Sequence, residues 1–391
     1  MQEMIYLVPR EQNEFILIFI LRATEGMDMI MKKRALALAA WALILVIAMP
    51  ISPIVFGKTS AVNSSVLKLS GKTLVVGTQP TTLGVPVRLA EQEGLFKKAG
   101  LDVKVVTFAT GAPVNQAIAS GNLDIAVSGT ASVYALATGM YTYIGDGSYS
   151  LKGQAIYARP NSPIAKAKGV MKGTRGSAKT VKGCSILGPT ATTAQYNAIK
   201  YVQSFGLTAN DFRMVSMDYA AAYQAFVSGQ GDLVAITTPW NNKLEAAGYV
   251  KVCDLSIVMG APNVNANFCR NNIAKERHDD VVAFLACYYE AADRLVKDPK
   301  LRRTTAITWY AKEGITYKDT DMDAEILQQS YLTWEMLKKN TFPFGRTMTE
   351  MGKFFVDQKL IENDQMPNIA ACMDKSYVME AIKLHDQGLF K

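Results

Sequence analysis

The sequence is poor in the residues on which most catalytic and metal sites depend. Its 391 residues include two histidines and five cysteines, and no two cysteines have the CxxC spacing of a zinc site. No GxSxG, HExxH or phosphate-loop motif occurs. His278 and His385 stand near charged residues in predicted helices. We therefore expect neither an enzyme nor a metal site, and we expect no cofactor.

The sequence also lacks a dense run of positive charge. Lys and Arg number 42 against 34 Asp and Glu, and residues 62–391 carry a thinly spread net charge of +7. Basic stripes interleaved with aromatic residues, which are typical of nucleic-acid-binding surfaces, do not occur. We expect no nucleic-acid partner. The basic excess is interpreted as solvated surface with a modest steering effect on an anionic ligand.

The cysteines leave one alternative open. The number is odd, so at least one thiol stays unpaired within the chain. In an oxidising compartment a single bridge would be consistent with the sequence, and Cys253–Cys269 is the pair that we favour for it. The other interpretation is that all five cysteines are small buried hydrophobic residues.

The first 61 residues are predicted to be a targeting segment. Lys32-Lys33-Arg34 precedes an uninterrupted apolar run at 35–49 and small residues suited to cleavage. This order is typical of a secretory signal peptide, so we expect a periplasmic protein. Met31 is then the natural start, and residues 1–30 are a misassigned start. An uncleaved membrane anchor stays as the alternative because apolar sequence resumes after the run.

The rest of the chain predicts two α/β lobes. Residues 73–138 alternate strand and helix as βαβαβα, and a second βαβα unit begins at Cys184 after a stretch rich in Gly, Pro, Ser and Lys. After Asn272 we predict almost only helix. The assigned segments are 62–160 for the first lobe, with strands at 141–145 and 153–158 near its end, 161–260 for the crossover and second lobe, and 261–391 for the return and the C-terminal helices, one of them at 323–339.

Two segments of the chain resemble each other. SGNLDIAVSGT at 120–130 and SGQGDLVAITT at 228–238 both place Ser-Gly at a helix end and an Asp just before a buried strand. Both strands end in Ser or Thr. An internally similar pair joined by a return crossover predicts two lobes that face a cleft and close on a ligand by a hinge.

Four short segments follow predicted strands at points where helices begin. They are residues 77–81, 128–132, 188–193 and 237–241, and they are rich in small hydroxyl residues. Hydroxyl groups and backbone N–H groups at the carboxyl ends of strands form sites for small polar or anionic ligands. The chain is therefore interpreted as a receptor for a small solute.

Longer stretches resemble a known family. AEQEGLFKKAGLDVKVVTFATGAPVNQAIASGNLDIAVSGT at 90–130 and GLTANDFRMVSMDYAAAYQAFVSGQGDLVAITTPW at 206–240 are similar to the substrate-binding proteins of ABC importers for aliphatic sulfonates, taurine and nitrate, and to the related thiamine-pyrimidine group. The resemblance implies a type II periplasmic binding fold, α/β with a ligand cleft between two lobes and a helical C-terminal region. It also implies delivery of the solute to the transmembrane subunits of an ABC permease, and we expect a monomer.

The resemblance carries ligand contacts to matching positions of this sequence. They are Gln79, Pro80 and Thr81; Ser128, Gly129 and Thr130; Thr190, Thr192 and Thr193; and Thr237, Thr238 and Trp240. Weaker candidates are Tyr149, Asn263 and Asn265. Relatives often carry an acid where this chain has Thr237-Thr238-Pro239-Trp240, which favours a plain anion or a neutral heterocycle over an ammonium-bearing ligand such as taurine.

Each candidate also has an interpretation without a ligand. The threonines at 190–193 and the Ser128 segment can simply cap the helices that follow them. Trp240 can stack on a ligand or belong to the core of its lobe. Two alternative functions stay open: binding of a thiamine-precursor pyrimidine, and a periplasmic sensor subunit that signals rather than imports. An enzyme is the least favoured, although the same fold hosts a pyrimidine synthase.

Overall fold

Two mixed β-sheets, one of six strands and one of five, organise the chain. The computed structural model describes residues 67–390, so the predicted targeting segment lies outside the described residues. The strands are β1 (Leu74–Thr78), β2 (Val103–Thr107), β3 (Ile125–Ser128), β4 (Tyr141–Ser150), β5 (Ala155–Ala158), β6 (Ser185–Gly188), β7 (Arg213–Ser216), β8 (Leu233–Ile236), β9 (Val250–Asp254), β10 (Asn263–Arg270) and β11 (Gln329–Tyr331).

Eighteen α-helices and three short 3-10 turns connect these strands within the described residues. The helices are α1 (Val85–Gln92), α2 (Leu95–Lys98), α3 (Gly111–Ala119), α4 (Ser132–Ala137), α5 (Pro163–Lys166), α6 (Ala178–Val181), α7 (Thr193–Gln203), α8 (Tyr219–Val227), α9 (Trp240–Ala246), α10 (Leu255–Met259), α11 (Asn271–Glu276), α12 (His278–Lys297), α13 (Pro299–Lys312), α14 (Asp319–Gln328), α15 (Trp334–Lys338), α16 (Arg346–Asp357), α17 (Met366–Ala371) and α18 (Ser376–Asp386).

The six-stranded sheet and its helices are called the first lobe, and the five-stranded sheet and its helices the second lobe. The strand orders are β11-β4-β10-β3-β1-β2 and β7-β6-β8-β5-β9. In the first lobe β1 runs parallel to β2 and β3, and β10 is antiparallel to β3. In the second lobe β6 runs parallel to β7 and β8, and β5 is antiparallel to β8. Four consecutive strands of each sheet, β10-β3-β1-β2 and β5-β8-β6-β7, therefore share one topology.

The internal similarity seen in the sequence has a physical counterpart. Asp124, just before β3, accepts a hydrogen bond from the backbone N–H of Val75 at 3.0 Å. Asp232, just before β8, accepts one from the backbone N–H of Ser185 at 2.8 Å. In both lobes this carboxylate links the amino ends of two neighbouring parallel strands, so the opposite, carboxyl ends are aligned.

Apolar layers cover both faces of the first sheet. The long helix α12 buries Val281, Phe284 and Leu285 on one face, and Phe355 of α16 lies fully buried on the other. Burying a side chain of this size stabilises the fold by roughly 1.5–3 kcal/mol. The second lobe has two smaller clusters, around Ile186 and around Phe226. Each lobe thus has a core of its own beside the strand ends.

Two expectations from the sequence are wrong. Residues 153–158 do not add a strand to the first lobe, because β5 pairs with β8 and β9, and the chain therefore changes sheets just before Ala155. The helix predicted at 323–339 is broken, because β11 pairs with the far end of β4. The pattern of the sequence is helical there, but the edge of the sheet offers hydrogen bonds that a local pattern does not reveal.

The bridge considered between Cys253 and Cys269 is not formed. All five cysteines are free and buried, which agrees with the other interpretation. Cys253 lies in β9 of the second sheet and Cys269 in β10 of the first, so the two thiols belong to separate cores.

Among residues 67–390 no helix is long and apolar enough to cross a membrane.

Candidate solute-binding site

Gln79 and Ser128 form the polar centre of the site in the first lobe. They follow β1 and end β3, two neighbouring parallel strands. The Nε2 group of Gln79 donates to Oγ of Ser128 at 3.1 Å, and both side chains are buried. Because Ser128 accepts this bond, its own hydroxyl hydrogen remains available, as does the second hydrogen on Gln79 Nε2. The pair can therefore donate two hydrogen bonds to one small ligand.

Gly111 and Asn265 complete this centre. A side-chain carbon on Gly111 would lie 3.3 Å from Ser128 Oγ and 3.8 Å from Gln79 Nε2. One on Gly129 would lie 3.6 Å from Oδ1 of Asn265, whose amide nitrogen donates to Ser148 at 2.8 Å. Asn265 was a weak candidate and Gly111 was missed, since a glycine at a helix start carries no signal of its own.

The other candidates of the first lobe surround the centre less closely. Pro80 and Thr130 are buried, Gly129 is half-buried and Thr81 is exposed. The hydroxyl of Ser132 donates to the backbone oxygen of Gly129 at 2.7 Å, which fixes the turn that leads into α4. These residues shape the loops, and Gln79 and Ser128 supply the donors.

The buried side chain of Glu325 holds the loop that carries Gln79 through a hydrogen bond with Thr82. The Thr82 hydroxyl donates to Glu325 Oε1, the Tyr317 hydroxyl donates to Oε2, and the Tyr310 hydroxyl lies 3.4 Å from Oε1. Burial beside this carboxylate raises the pKa of Tyr317 and Tyr310. Gly84 is packed so closely that a side-chain carbon would lie 2.3 Å from the backbone oxygen of Gln79. The hydrogen bonds to Glu325 and the close packing at Gly84 therefore fix the position of Gln79.

In the second lobe the threonines form a compact turn before α7. Thr190 is exposed, and its hydroxyl lies 2.9 Å from that of Ser216 at the end of the neighbouring strand β7. Thr193 is buried. Burial raises the pKa of Tyr219, against the effect of its hydrogen bonds with Thr192 and Thr193. Hydroxyl groups from the segments that follow β6 and β7 thus meet at the carboxyl edge of this sheet.

Thr192 is an N-cap of α7. Its Oγ1 accepts from the backbone N–H of Ala194 at 3.1 Å and donates to the backbone oxygen of Pro189 at 2.9 Å. Ala191 adopts the left-handed conformation with φ of 56°, and its N–H donates to Oε1 of Gln195 at 2.7 Å. The capping interpretation therefore holds for Thr192, and contact with a solute stays a prediction.

Thr192→Ala is expected to lower the free energy of unfolding by about 1 kcal/mol, because one N–H of α7 loses its acceptor. Thr192→Ser keeps the hydroxyl and should retain most of the stability. Urea unfolding followed by tryptophan fluorescence measures both. Equal stability of the alanine and serine variants would show that the cap contributes nothing.

The candidate segment at 237–241 lies in the second lobe and contacts both lobes. Thr237 and Thr238 are half-buried, and the peptide bond between Thr238 and Pro239 is cis. The Trp240 ring lies 5.1 Å from the Tyr223 ring, and the Lys243 ammonium lies 4.5 Å from its centroid. Trp240 therefore packs within its own lobe, which is the core interpretation of this residue.

Thr238 makes a direct contact with the first lobe. Its Oγ1 accepts from Nε2 of Gln329 in β11 at 2.5 Å, and the backbone oxygen of Gln329 accepts from the buried guanidinium of Arg302 at 2.9 Å. Gln328 beside it exchanges hydrogen bonds with Asn241 and Asn242 of α9 at 3.1 and 3.0 Å. The sequence analysis missed these glutamines because they lie in the segment that was predicted to be helix.

The structure brings the candidates together within each lobe. Gln79 lies with Ser128, and Thr190, Thr192 and Thr193 share one turn. Within residues 67–390 no hydrogen bond joins the first-lobe group to the second-lobe threonines at 190–193. Thr238 is the candidate that spans the two lobes.

The cysteines are buried, and both histidines lie in helices of the first lobe. Burial raises the pKa of Cys184 and Cys253 to about 12 and that of Cys372 to about 11. His278 contacts Asp279 and Glu380, and the His385 ring stacks on Trp334 at 4.3 Å, all in helices of the first lobe. Among the described residues no group of three His, Cys, Asp or Glu side chains is placed to hold a metal ion.

The architecture of two α/β lobes, each built on its own mixed sheet, is the fold of periplasmic binding proteins, as the sequence predicted. The family model described as the NMT1-like family matches residues 68–309, and the chain belongs to this family. A putative ABC transporter periplasmic binding protein of Brachyspira hyodysenteriae is 27% identical over 313 residues, which cover 79% of this chain and 90% of the relative.

Solved structures show the same fold. The alkanesulfonate-binding protein SsuA from Xanthomonas axonopodis pv. citri, bound to MOPS, is 18% identical with a TM-score of 0.59, over 78% of this chain and 98% of that protein. The periplasmic nitrate-binding protein NrtA from Synechocystis PCC 6803 is 15% identical with a TM-score of 0.60, over 81% of this chain and 90% of that protein. At these identities the likeness concerns the fold.

One structure with this fold is an enzyme. The desulfurization enzyme DSZB is 12% identical with a TM-score of 0.56, over 80% of this chain and 99% of that protein. The fold alone therefore does not separate binding from catalysis, and the function has to be argued from the side chains at the site.

Proposed function

We propose that the protein is the extracytoplasmic solute-binding component of an ABC importer and captures a small oxyanion of the sulfonate or nitrate class. The observation that carries this proposal is the buried pair Gln79 and Ser128, which offers two free donor hydrogens at neighbouring strand ends. A sulfonate or nitrate has only acceptors, so a site for it needs donors and no carboxylate. None of the candidate residues of either lobe carries a carboxylate.

The second lobe supports the same chemistry. Thr190 and Ser216 place two hydroxyls within 2.9 Å of each other in front of α7, an eleven-residue helix whose N-terminus favours negative charge. The relative is named a periplasmic binding protein, and two of the structural neighbours bind an alkanesulfonate and nitrate, which agrees with this choice. We propose that closure of the second lobe onto the first completes the site, with Thr238 and Gln329 at its margin.

Binding rather than catalysis is proposed because the site contains no activated nucleophile. The thiols are buried with raised pKa values, and both histidines lie in first-lobe helices. We further propose a periplasmic location, action as a monomer and transfer of the solute to the permease subunits. Neutral pyrimidines need acceptors as well as donors, and Gln79 offers both, so they stay in the test panel.

Thermal unfolding of the chain from Val62 with alkanesulfonates, taurine, nitrate, bicarbonate and hydroxymethylpyrimidine tests the proposal. A solute at 100 times its Kd should raise the free energy of unfolding by about 2.7 kcal/mol. Ser128→Ala and Gln79→Leu should each remove the shift for the solute that binds.

The matched control is Ser120→Ala, which deletes a hydroxyl in the turn before β3, away from the strand end that carries Ser128. This variant should keep the full shift. A solute that raises the unfolding temperature of the wild type, Ser128→Ala and Gln79→Leu by the same amount would bind away from Gln79 and Ser128. No shift with any oxyanion would reject the proposed solute class.

A further inference from the structure

Residues 147–210 contain nine Lys and Arg and no Asp or Glu. Averaging the charge over the whole chain conceals this stretch, because the acids are concentrated elsewhere. Most of its cations lie on one short piece of the second lobe, residues 166–182, which is called the basic tip. Its exposed cations are Lys166, Lys168, Lys172, Arg175, Lys179 and Lys182.

The basic tip is folded and fixed to the second lobe. Residues Lys168 and Arg175 form an antiparallel bridge, and the backbone N–H of Arg175 donates to the oxygen of Val252 in β9 at 2.9 Å. The Tyr201 hydroxyl donates to the backbone oxygen of Arg175 at 2.8 Å. Ser177 and Thr180 form a reciprocal cap at the start of α6. The cations therefore project from a defined surface.

These cations have almost no partners of opposite charge. Lys182 lies 3.6 Å from Asp211, and within residues 67–390 the other five have no carboxylate within ion-pair distance. Elsewhere in the second lobe Lys251 pairs with Glu245 at 2.8 Å. The basic tip is thus an uncompensated positive surface whose field extends about one Debye length, roughly 8–10 Å, into solution.

An apolar residue projects from the middle of this surface. Val170 is 64% exposed and lies between Lys168 and Lys172 in the bridged turn. A side-chain carbon on Gly173 would lie 3.2 Å from the half-exposed Ile257 of α10, a helix without any charged residue. Cations around a small apolar projection match an interface that is anionic outside and apolar beneath.

We propose that the basic tip docks on a membrane surface that carries anionic phospholipid headgroups. The lysines contact the headgroup phosphates, and Val170 enters the boundary between headgroups and acyl chains. An acidic protein surface would satisfy the charges but gives no reason for an exposed valine at the centre of the turn. Docking in this orientation holds the second lobe against the bilayer and is independent of which solute binds.

Co-sedimentation of the compact unit that begins at Val62 with phosphatidylcholine vesicles, with and without phosphatidylglycerol, tests this proposal. Binding should require phosphatidylglycerol and should fall with added salt. A variant with Lys166, Lys168, Lys172 and Lys179 all changed to Gln should bind about 600-fold more weakly if all four contact headgroups, since each lysine near an anionic surface contributes a factor of about 5. Val170→Ser should weaken binding several-fold at unchanged charge.

The matched control changes Lys97, Lys98, Lys104 and Lys312 to Gln. These four lysines are exposed in the first lobe, and the net charge changes by the same amount. The control should bind as the wild type does. Equal losses in both variants would show that only net charge matters and would overturn the proposal. Retention on immobilised poly-glutamate without any vesicle binding would also overturn it, in favour of an acidic protein partner.

Discussion

Replacing Glu325 with alanine is expected to lower the free energy of unfolding by about 3–5 kcal/mol. Glu325 is 3% exposed and accepts hydrogen bonds from the hydroxyls of Thr82 and Tyr317, with that of Tyr310 at 3.4 Å. Alanine would leave buried hydroxyls without an acceptor, and losing one member of such a buried network is among the costliest single changes. Chemical unfolding of both proteins measures the difference.

Two further variants distinguish the loss of this hydrogen-bond network from the effect of removing a surface carboxylate. Glu325→Gln keeps one oxygen acceptor and should lose clearly less stability than the alanine variant. Glu276→Ala removes an exposed glutamate at the end of α11 and should change the free energy of unfolding by less than about 0.5 kcal/mol. A Glu325→Ala protein as stable as Glu276→Ala would contradict the assigned network.

The same network links the core of the first lobe to the proposed site. Thr82, whose hydroxyl donates to Glu325, stands three residues after Gln79. A change at Glu325 should therefore disturb the loop that carries Gln79. Buried polar groups of this kind specify one arrangement of loops more than they add to stability.

The order of strands and helices was predictable because it depends on local patterns. Buried strands such as β3 and β8 are short apolar runs bounded by Ser-Gly and by hydroxyl residues, and the repeated Asp before each strand marks equivalent places in the two lobes. The expected periplasmic binding fold is confirmed by the sheet topology and by its structural neighbours.

The elements that failed depend on distant partners. Strand β11 exists because Gln329, Ser330 and Tyr331 pair with β4, about 180 residues earlier in the chain, and nothing in its own three residues indicates a strand. Strand β5 was predicted as a strand but assigned to the wrong sheet. A four-residue apolar run does not reveal whether the strands with which it pairs come before it or after it in the sequence.

The site was predictable to the extent that it lies at strand ends. Gln79 and Ser128 were both chosen from sequence and do contact each other. Gly111, Gln328 and Gln329 were missed, because a glycine offers space rather than a functional group, and the two glutamines lie where α14 ends and β11 begins, a break that was not predicted. Residues 166–182 were considered only as a linker, and the lack of acids around them went unnoticed.

Asp146→Asn is expected to remove a pH dependence that a buried carboxylate imposes on stability. Burial raises the pKa of Asp146 to about 6, although hydrogen bonds from the Tyr143 hydroxyl and the Gly345 N–H, and the charge of Lys375, oppose the rise. The folded protein therefore binds this proton more tightly than the unfolded chain, whose carboxyl has a pKa of 3.8. The contribution to stability is fully present below about pH 4 and is lost as the pH rises through 6.

A shift of this size corresponds to about 3 kcal/mol between the two limits. The stability of the wild type relative to Asp146→Asn should therefore increase by about that amount between pH 7.5 and pH 4. Asparagine keeps the Oδ1 acceptor, and its amide replaces an oxygen beside a small recess lined by Phe342, Phe344 and Lys375. The variant should thus be at least as stable as the wild type at pH 7.5.

Urea unfolding at a series of pH values between 4 and 8 measures this difference. Asp357→Asn removes one exposed carboxylate from the end of α16 and controls for the change in net charge. Parallel stability curves for the wild type and Asp146→Asn would show that the carboxyl titrates alike in the folded and unfolded chains. Since Asp146 lies in β4 between the Tyr143 hydroxyl and the N–H before α16, such a result would also mean that water reaches this part of the first-lobe core.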